Sequence, residues 1–180
     1  MKILFIGSVI FSKKILTELI KKKFLICGVI TKSKSNFNSD FYNLKDISKK
    51  HKIDFLTTEN INNRPVIKWI KNKKPDLILC CGWSQLISKQ ILKIPTKFSI
   101  GYHPSDLPNN RGRHPIIWSL VLGLKKISST FFLMNEKADA GDIISKKNLN
   151  VRDFDRSGTV YKKLARLAGP QLLQIINNLK

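Results

Sequence analysis

The 180-residue sequence lacks several features that would place a protein in a specialised class. No apolar run approaches the roughly 18 residues of a membrane-spanning helix, so no such helix and no membrane partner is expected. The opening MKILFIGS is too short for a secretory signal and ends in Gly-Ser, and we interpret it as a strand. Neither a G-x-G-x-x-G fingerprint nor a Walker-type phosphate loop occurs, so a dinucleotide-binding role has no support.

Cysteine and histidine are also scarce. The three cysteines (Cys27, Cys80 and Cys81) include no Cys-x-x-Cys pair, and the three histidines are scattered along the chain. This spacing predicts neither a metal site nor a disulfide framework. We therefore expect a cytoplasmic protein with reduced, buried thiols.

Acidic residues are few: 12 Asp and Glu stand against 33 Lys and Arg, a formal net charge of +21. Both halves of the chain carry this excess, so it does not form a basic arm or tail. We interpret it as a generally basic solvated surface. Such a surface favours phosphate-bearing substrates and encourages non-specific binding to polyanions.

Apolar runs alternate with amphipathic segments along the chain. The predicted strands are Lys2–Gly7, Phe24–Thr31, Ile53–Leu56, Asp76–Cys81, Ile91–Tyr102, a β-rich run before the turn Ala138–Asp142, and Ile143–Val151. The predicted helices are Ile10–Lys22, one capped by Asp40 and ending near His51, Asn62–Asn72, one starting at His114-Pro115, and Thr159–Leu179 with a break or kink at Gly169-Pro170. This alternation predicts an α/β, Rossmann-like fold with an open, mostly parallel sheet and helices on both faces. We expect one domain, residues 1–180, without a separate C-terminal domain.

The stretch Ser99–Asp142 has the strongest functional signal. His103 stands where a buried strand should emerge, and Asp139 lies in the later turn Ala138–Asp142. Open α/β sheets assemble reactive sites at the carboxyl ends of their strands. A histidine facing a returning carboxylate is therefore one interpretation; a structural histidine and an ordinary turn aspartate are the other.

The motifs of this stretch resemble the folate-dependent formyltransferase family. That family has an Asn-x-His-x-Ser-Leu-Leu-Pro strand and loop, then Arg-Gly, and later an Asp-x-Gly turn. The matching segments here are Gly101–Pro108, Arg111–Arg113 and Asp139–Gly141, and the likeness extends to the opening strand and to Gly82–Leu86. Members move a formyl group from 10-formyltetrahydrofolate to an amine on glycinamide ribonucleotide, methionyl-tRNA or a nucleotide-linked amino sugar.

The resemblance implies a role for each matching residue. His103 and Asp139 would be the catalytic pair. The folate would be held around Gln85, Leu86 and Ile87 and by Asn135, Glu136, Lys137 and Ala138. The substrate would be bound by Ser105, Leu107, Pro108, Arg111 and Arg113, although the two arginines fit a solvated role equally well. A histidine can move the required proton near neutral pH, and a carboxylate beside it is expected to raise its pKa.

Two positions depart from the family pattern. The family asparagine that stabilises the oxyanion falls on Gly101, which has no side chain to donate a hydrogen bond. Three alternatives follow: Asn110, Ser105 or a backbone N–H substitutes, the enzyme works slowly with His103 alone, or the domain no longer catalyses. The second departure is Asp106, where a leucine is usual.

The acceptor amine is the open part of the prediction. The lack of a further C-terminal domain and of the asparagine favours an amino sugar linked to a nucleotide, which is a small, phosphate-bearing substrate. Methionyl-tRNA is the alternative acceptor, and the basic charge suits it. From a different functional class, a non-catalytic basic α/β module that binds nucleic acid also fits the composition.

Overall fold

The computed structural model describes residues 1–35 and 38–179, which form two compact units, Met1–Ile100 and the part that follows from Gly101. Its strands are β1 (Lys2–Ile6), β2 (Leu25–Thr31), β3 (Phe55–Thr57), β4 (Leu77–Cys81), β5 (Phe98–His103), β6 (Lys126–Leu133) and β7 (Ile143–Asn150). Its helices are α1 (Ile10–Lys21), α2 (Lys45–Lys50), α3 (Arg64–Lys73), α4 (Lys89–Leu92), α5 (Pro115–Val121) and α6 (Ser157–Asn178).

The first unit is built on a parallel sheet with the strand order β3-β2-β1-β4, followed by the first half of β5. β1 pairs in parallel with β2 and β4, and β2 pairs in parallel with β3. The central strands are apolar throughout because both of their faces are buried: every residue of β4 is buried, as is all of β1 after Lys2.

Helices α1 and α3 follow the amphipathic patterns that the sequence predicts. α1 buries Phe11, Ile15, Leu16 and Leu19, which recur at helical spacing. α3 begins after Asn63, whose side-chain oxygen accepts the backbone N–H of Val66 at 3.1 Å. It ends at Lys73, and the next residue, Lys74, adopts the left-handed conformation common after a helix.

The second unit contains β6 and β7 as an antiparallel pair, with the end of β5 on the other side of β6. Helix α6 packs on this pair. Ile127, Val151, Val160 and Leu164 form its apolar cluster. A buried polar clamp adds to it, since Gln171 of α6 hydrogen-bonds Ser129 of β6 and Ser145 of β7.

Three local predictions are wrong. Asp40 caps no helix, because α2 starts only after Leu44. The first half of the predicted strand Ile91–Tyr102 is instead the short helix α4 and a turn, since Pro95 favours a turn over a ladder and the strand begins only at Phe98. Helix α6 runs through Pro170 without a break, because residues on both sides, such as Ala168 and Leu172, are buried and offset the lost hydrogen bond.

None of the helices within residues 1–35 and 38–179 has both the length and the apolar character that crossing a membrane requires.

Candidate active site

His103 is the last residue of β5, where the strand emerges from the sheet of the second unit. Its side chain is only 10% exposed, and its Nε2 atom is buried with no hydrogen-bond partner among the described residues. Burying a polar atom without a hydrogen-bond partner costs free energy. This nitrogen is therefore available to a bound molecule that supplies the partner.

Asp139 reaches the other nitrogen of the same ring. Its Oδ1 lies 3.5 Å from Nδ1 of His103, a charge contact that is long for a hydrogen bond. Its Oδ2 accepts the backbone N–H of Gly112 at 3.2 Å. The structure therefore brings the two predicted catalytic residues together and ties the carboxylate to the glycine of the Arg-Gly-Arg loop.

The turn that carries Asp139 depends on Gly141. A Cβ atom at this glycine would lie 1.5 Å from the carbonyl oxygen of Leu133, so no side chain fits. The backbone is drawn close here because the Leu133 N–H donates to the carbonyl of Asp142 at 2.8 Å. Asp139 itself has φ +50, a left-handed conformation that Asp and Asn tolerate better than most residues.

The electrostatics of His103 correct the sequence-based expectation. Burial disfavours the imidazolium and lowers the pKa of His103 below its ordinary 6.5. The Asp139 carboxylate and the backbone carbonyl of Asn110 act in the opposite direction and raise it, but they do not outweigh burial. The imidazole is therefore neutral at pH 7, the form that can accept a proton.

The loop after His103 is held by polar contacts. Ser105 is buried, its hydroxyl donates to the carbonyl of Asn109 at 3.3 Å, and its own carbonyl accepts the Thr130 hydroxyl at 2.7 Å. The hydroxyl proton of Ser105 is thus already engaged. Asn110 is exposed and has φ +54, which leaves its side chain at the surface of the loop.

Lys146 of β7 holds the loop after His103, a role that the sequence did not predict. Its ammonium lies 2.6 Å from Oδ1 of Asp106 and donates to the carbonyl of Leu107 at 3.1 Å. The hydrogen bond from Lys146 lowers the pKa of Asp106, against a smaller effect of burial. Asp106, where the family usually has leucine, therefore anchors the loop to β7. Lys146 lies 40 residues further along the chain, so no local sequence pattern predicts this ion pair.

A cavity of about 300 Å³ lies beside Asp139 in the second unit. It is lined by Leu107, Pro108, Arg111, Asp139, Ala140, Gly141, Asp142 and Ile143. Three of the predicted substrate residues, Leu107, Pro108 and Arg111, line it together with the catalytic candidate Asp139. Asp142, which the sequence marked only as part of the turn, adds a second carboxylate to the wall.

Residues predicted to hold the folate lie in both units. In the first unit the Gln85 amide is used internally, donating to the Glu59 carbonyl at 2.8 Å and accepting the Ile61 N–H at 3.2 Å. Leu86 follows with a side chain that is 62% exposed, while Ile87 is buried. In the second unit Asn135–Ala138 form an exposed turn after β6. An Asx hydrogen bond closes this turn, from the Lys137 N–H to the Asn135 side-chain oxygen at 2.9 Å.

The family model described as "Formyl transferase" matches residues 1–176 of the chain. The chain belongs to the formyl transferase family. The family resemblance inferred from Gly101–Pro108 and the Asp-x-Gly turn is confirmed.

Similar proteins include methionyl-tRNA formyltransferases and a polymyxin resistance protein. Methionyl-tRNA formyltransferase from Thermotoga maritima is 28% identical over all of this chain and 59% of its own length, and that from Bacillus subtilis is 34% identical over 96% of this chain and 55% of its own length. The bifunctional polymyxin resistance protein ArnA of Wigglesworthia glossinidia brevipalpis is 36% identical over 83% of this chain. It is matched over 23% of its own length. The chain thus spans little more than half of these methionyl-tRNA formyltransferases.

Solved structures share the fold. Phosphoribosylglycinamide formyltransferase from Bacillus halodurans superimposes with a TM-score of 0.85 over 99% of this chain and 95% of its own, at 18% identity. The sugar 3N-formyl transferase WlaRD superimposes with a TM-score of 0.73 over 99% of this chain and 64% of its own, also at 18% identity. The predicted open, mostly parallel α/β fold is confirmed.

Proposed function

We propose that the chain transfers a formyl group from 10-formyltetrahydrofolate to a primary amine. The observation that carries the proposal is the buried, unpaired Nε2 of His103 with Asp139 behind Nδ1. A histidine in this state is suited to accepting a proton from an attacking amine. The methionyl-tRNA formyltransferases of Thermotoga maritima and Bacillus subtilis are similar to this chain, which supports the same reaction class.

The donor fits the residues available to it. The unpartnered Nε2 of His103 needs a polar partner that the described chain does not supply, and the exposed Leu86 offers apolar surface for a planar ring. We propose that Gln85–Ile87 and Asn135–Ala138 hold the donor through backbone groups. When bound, 10-formyltetrahydrofolate supplies the formyl group.

The reaction balances with one proton transfer. The amine nitrogen bonds to the formyl carbon, the bond from that carbon to the folate nitrogen breaks, and one proton passes from the amine to the folate nitrogen. His103 carries this proton at Nε2, because it is neutral near pH 7. Asp139 fixes the ring through Nδ1 and lowers the cost of the imidazolium while the proton is held.

Stabilisation of the formyl oxygen must come from a group other than residue 101. The Ser105 hydroxyl already donates to the Asn109 carbonyl, which disfavours it. We propose that the exposed Asn110 side chain or a backbone N–H of the same loop donates instead. A donor placed in this way is worth about 10²–10³ in rate in related chemistry.

Methionyl-tRNA and a nucleotide-linked amino sugar are the two candidate acceptors of the formyl group. The names of the relatives and the net charge of +21 favour methionyl-tRNA, because a basic surface attracts the phosphate backbone. A nucleotide-linked amino sugar, the expectation from the sequence, is the second candidate. The cavity of about 300 Å³ has two carboxylates that can accept hydrogen bonds from an amine and Arg111, which can pair with a phosphate.

The test is a formyl-transfer assay of the purified chain with 10-formyltetrahydrofolate. Methionyl-tRNA, nucleotide-linked amino sugars and glycinamide ribonucleotide would be offered separately, with His103→Ala as the control. We expect transfer to one of these amines and a loss of at least about 10² in His103→Ala. Absence of transfer to every amine, with salt-dependent binding of arbitrary RNA and no folate binding, would instead establish a nucleic-acid-binding module.

A further inference from the structure

Phe132 of β6 occupies the space above Gly101. A Cβ atom at Gly101 would lie 2.7 Å from Cζ and 2.9 Å from Cε1 of the Phe132 ring, and 3.0 Å from Cγ of Met134. Carbon atoms do not approach this closely without displacement. Any side chain at position 101 therefore requires Phe132 and Met134 to move.

The Phe132 ring has little room to move. Phe132 is only 4% exposed, so neighbouring atoms of the described chain surround its ring. In a close-packed interior such a ring cannot swing away at low cost.

This space belongs to the candidate site. Gly101 and His103 are two residues apart on β5, and side chains at that spacing point to the same face of a sheet. A side chain at position 101 would stand next to the imidazole of His103. Phe132 and Met134 fill that place with apolar atoms.

We propose that Phe132, supported by Met134, determines the residue type at position 101: it restricts this position to glycine and excludes a side-chain hydrogen-bond donor beside His103. Phe132 is thus a positioning residue, not a catalytic one. The steric role of Phe132 does not depend on the proposed function, whereas its effect on catalysis rests on the proposed formyl transfer. Substituting Phe132 with a smaller residue should make room for an amide side chain at position 101.

The steric role is tested by thermal unfolding of four proteins: wild type, Gly101→Asn, Phe132→Ala, and the double variant. We expect Gly101→Asn alone to lower Tm by roughly 4–10 °C, as overpacking does in a chain of this size. In the Phe132→Ala background the same change should lower Tm by less than half as much. An equal loss in both backgrounds would overturn the proposal. If Phe132→Ala does not fold, Phe132→Leu takes its place in the cycle.

The catalytic consequence is tested by comparing two double variants with the same side-chain shape. Gly101→Asn/Phe132→Ala carries an amide, whereas Gly101→Leu/Phe132→Ala carries an apolar group of similar size. We expect kcat for formyl transfer to be about 10²-fold higher with asparagine, at similar KM, because only the amide donates to the formyl oxygen. Equal kcat values would overturn the claim that the excluded side chain is a donor position.

The experiments distinguish a failure of the proposed function from a failure of the steric role of Phe132. If wild type and all variants transfer no formyl group while the Tm losses remain non-additive, the proposed function fails and the steric control by Phe132 stands. If transfer is observed but the Tm losses are additive, the proposed function stands and the inference about Phe132 is overturned.

Discussion

Asp139 bridges His103 and Gly112: one carboxylate oxygen lies 3.5 Å from Nδ1 of the imidazole, and the other accepts the glycine N–H at 3.2 Å. The carboxylate thus acts on the ring and on the Arg-Gly-Arg loop at the same time. Because the ring is buried, this negative charge and the Asn110 carbonyl together offset only part of the lowering of the His103 pKa by desolvation.

The first prediction concerns the pH dependence of the proposed base. The pKa of His103 is lowered below 6.5, so more than half of the rings are still neutral at pH 6.5. We expect kcat/KM for formyl transfer to decline as pH falls, with a midpoint below 6.5. Titration of the imidazole by NMR gives the same pKa without relying on activity. A midpoint above 6.5 in both measurements would contradict the burial argument.

The second prediction separates Asp139 from its neighbour Asp142. Asp139→Asn keeps a residue that tolerates φ +50 but removes the charge that raises the pKa of His103. The NMR titration of His103 should therefore shift to still lower pH, and kcat/KM should fall by about 10²-fold or more. Asp142→Asn is the matched control in the same turn. A shift of equal size in both variants would mean that Asp139 has no special relation to the ring.

The architecture was predictable because its signals are local. Short apolar runs such as Ile3–Ile6 and Leu77–Cys81 are typical of strands buried on both faces, and the apolar stripe of α1 follows from helical spacing. The errors lie where tertiary packing overrides a local signal. Gly169-Pro170 predicts a break or kink, yet α6 continues without a break because the residues on both sides are buried.

The site was predictable only in part, for a related reason. His103 and Asp139 stand in motifs, and the structure brings them together. The direction of the His103 pKa shift could not be predicted from the sequence. The sequence shows the Asp139 carboxylate, which raises the pKa, but not the burial of the ring, which lowers it more. No motif marks Lys146 of β7 or Phe132 of β6, and only the folded structure places them at Asp106 and Gly101 respectively.

The third prediction concerns the Asp106–Lys146 anchor. Both side chains are partly exposed, at 43% and 33%, so the ion pair should contribute no more than about 1 kcal/mol to the free energy of unfolding. Asp106→Asn should remove this contribution at pH 7. Because the pKa of Asp106 is lowered in the folded state, the contribution should be complete above pH 3.8 and vanish as pH falls through the lowered pKa.

Chemical unfolding of wild type and Asp106→Asn at pH 7 and pH 3 measures this difference. Asp153→Asn is the control, since Asp153 pairs with Lys125 where both side chains are well exposed. An Asp106 effect that persists undiminished at pH 3 would show that the hydrogen-bonded shape of the loop, not the charge, is responsible.

The fourth prediction concerns the buried amide of Gln171. Its side chain donates to the Ser129 carbonyl at 3.1 Å and to the Ser145 hydroxyl at 2.9 Å, and it accepts the Ser129 hydroxyl at 2.7 Å. Gln171→Leu removes these three hydrogen bonds, two of them to the buried Ser129, and should cost about 1–3 kcal/mol of unfolding free energy. Gln174→Leu, on the exposed face of the same helix, should change it by less than about 0.5 kcal/mol. Equal effects would mean that the clamp contributes nothing.

The fifth prediction concerns the glycine that lets the Asp139 turn close on β6. Gly141→Ala would place a Cβ atom 1.5 Å from the Leu133 carbonyl oxygen, and backbone cannot yield as a flexible side chain does. We expect a loss of about 3 kcal/mol or more in unfolding free energy, with loss of the Leu133–Asp142 hydrogen bond and of formyl transfer. Gly158→Ala is the matched control, because no described atom lies within 4 Å of its Cβ position and alanine favours the helix there. Its stability should equal or exceed that of wild type. If the two variants unfold at the same denaturant concentration, Asp139 does not depend on a close backbone approach at Gly141.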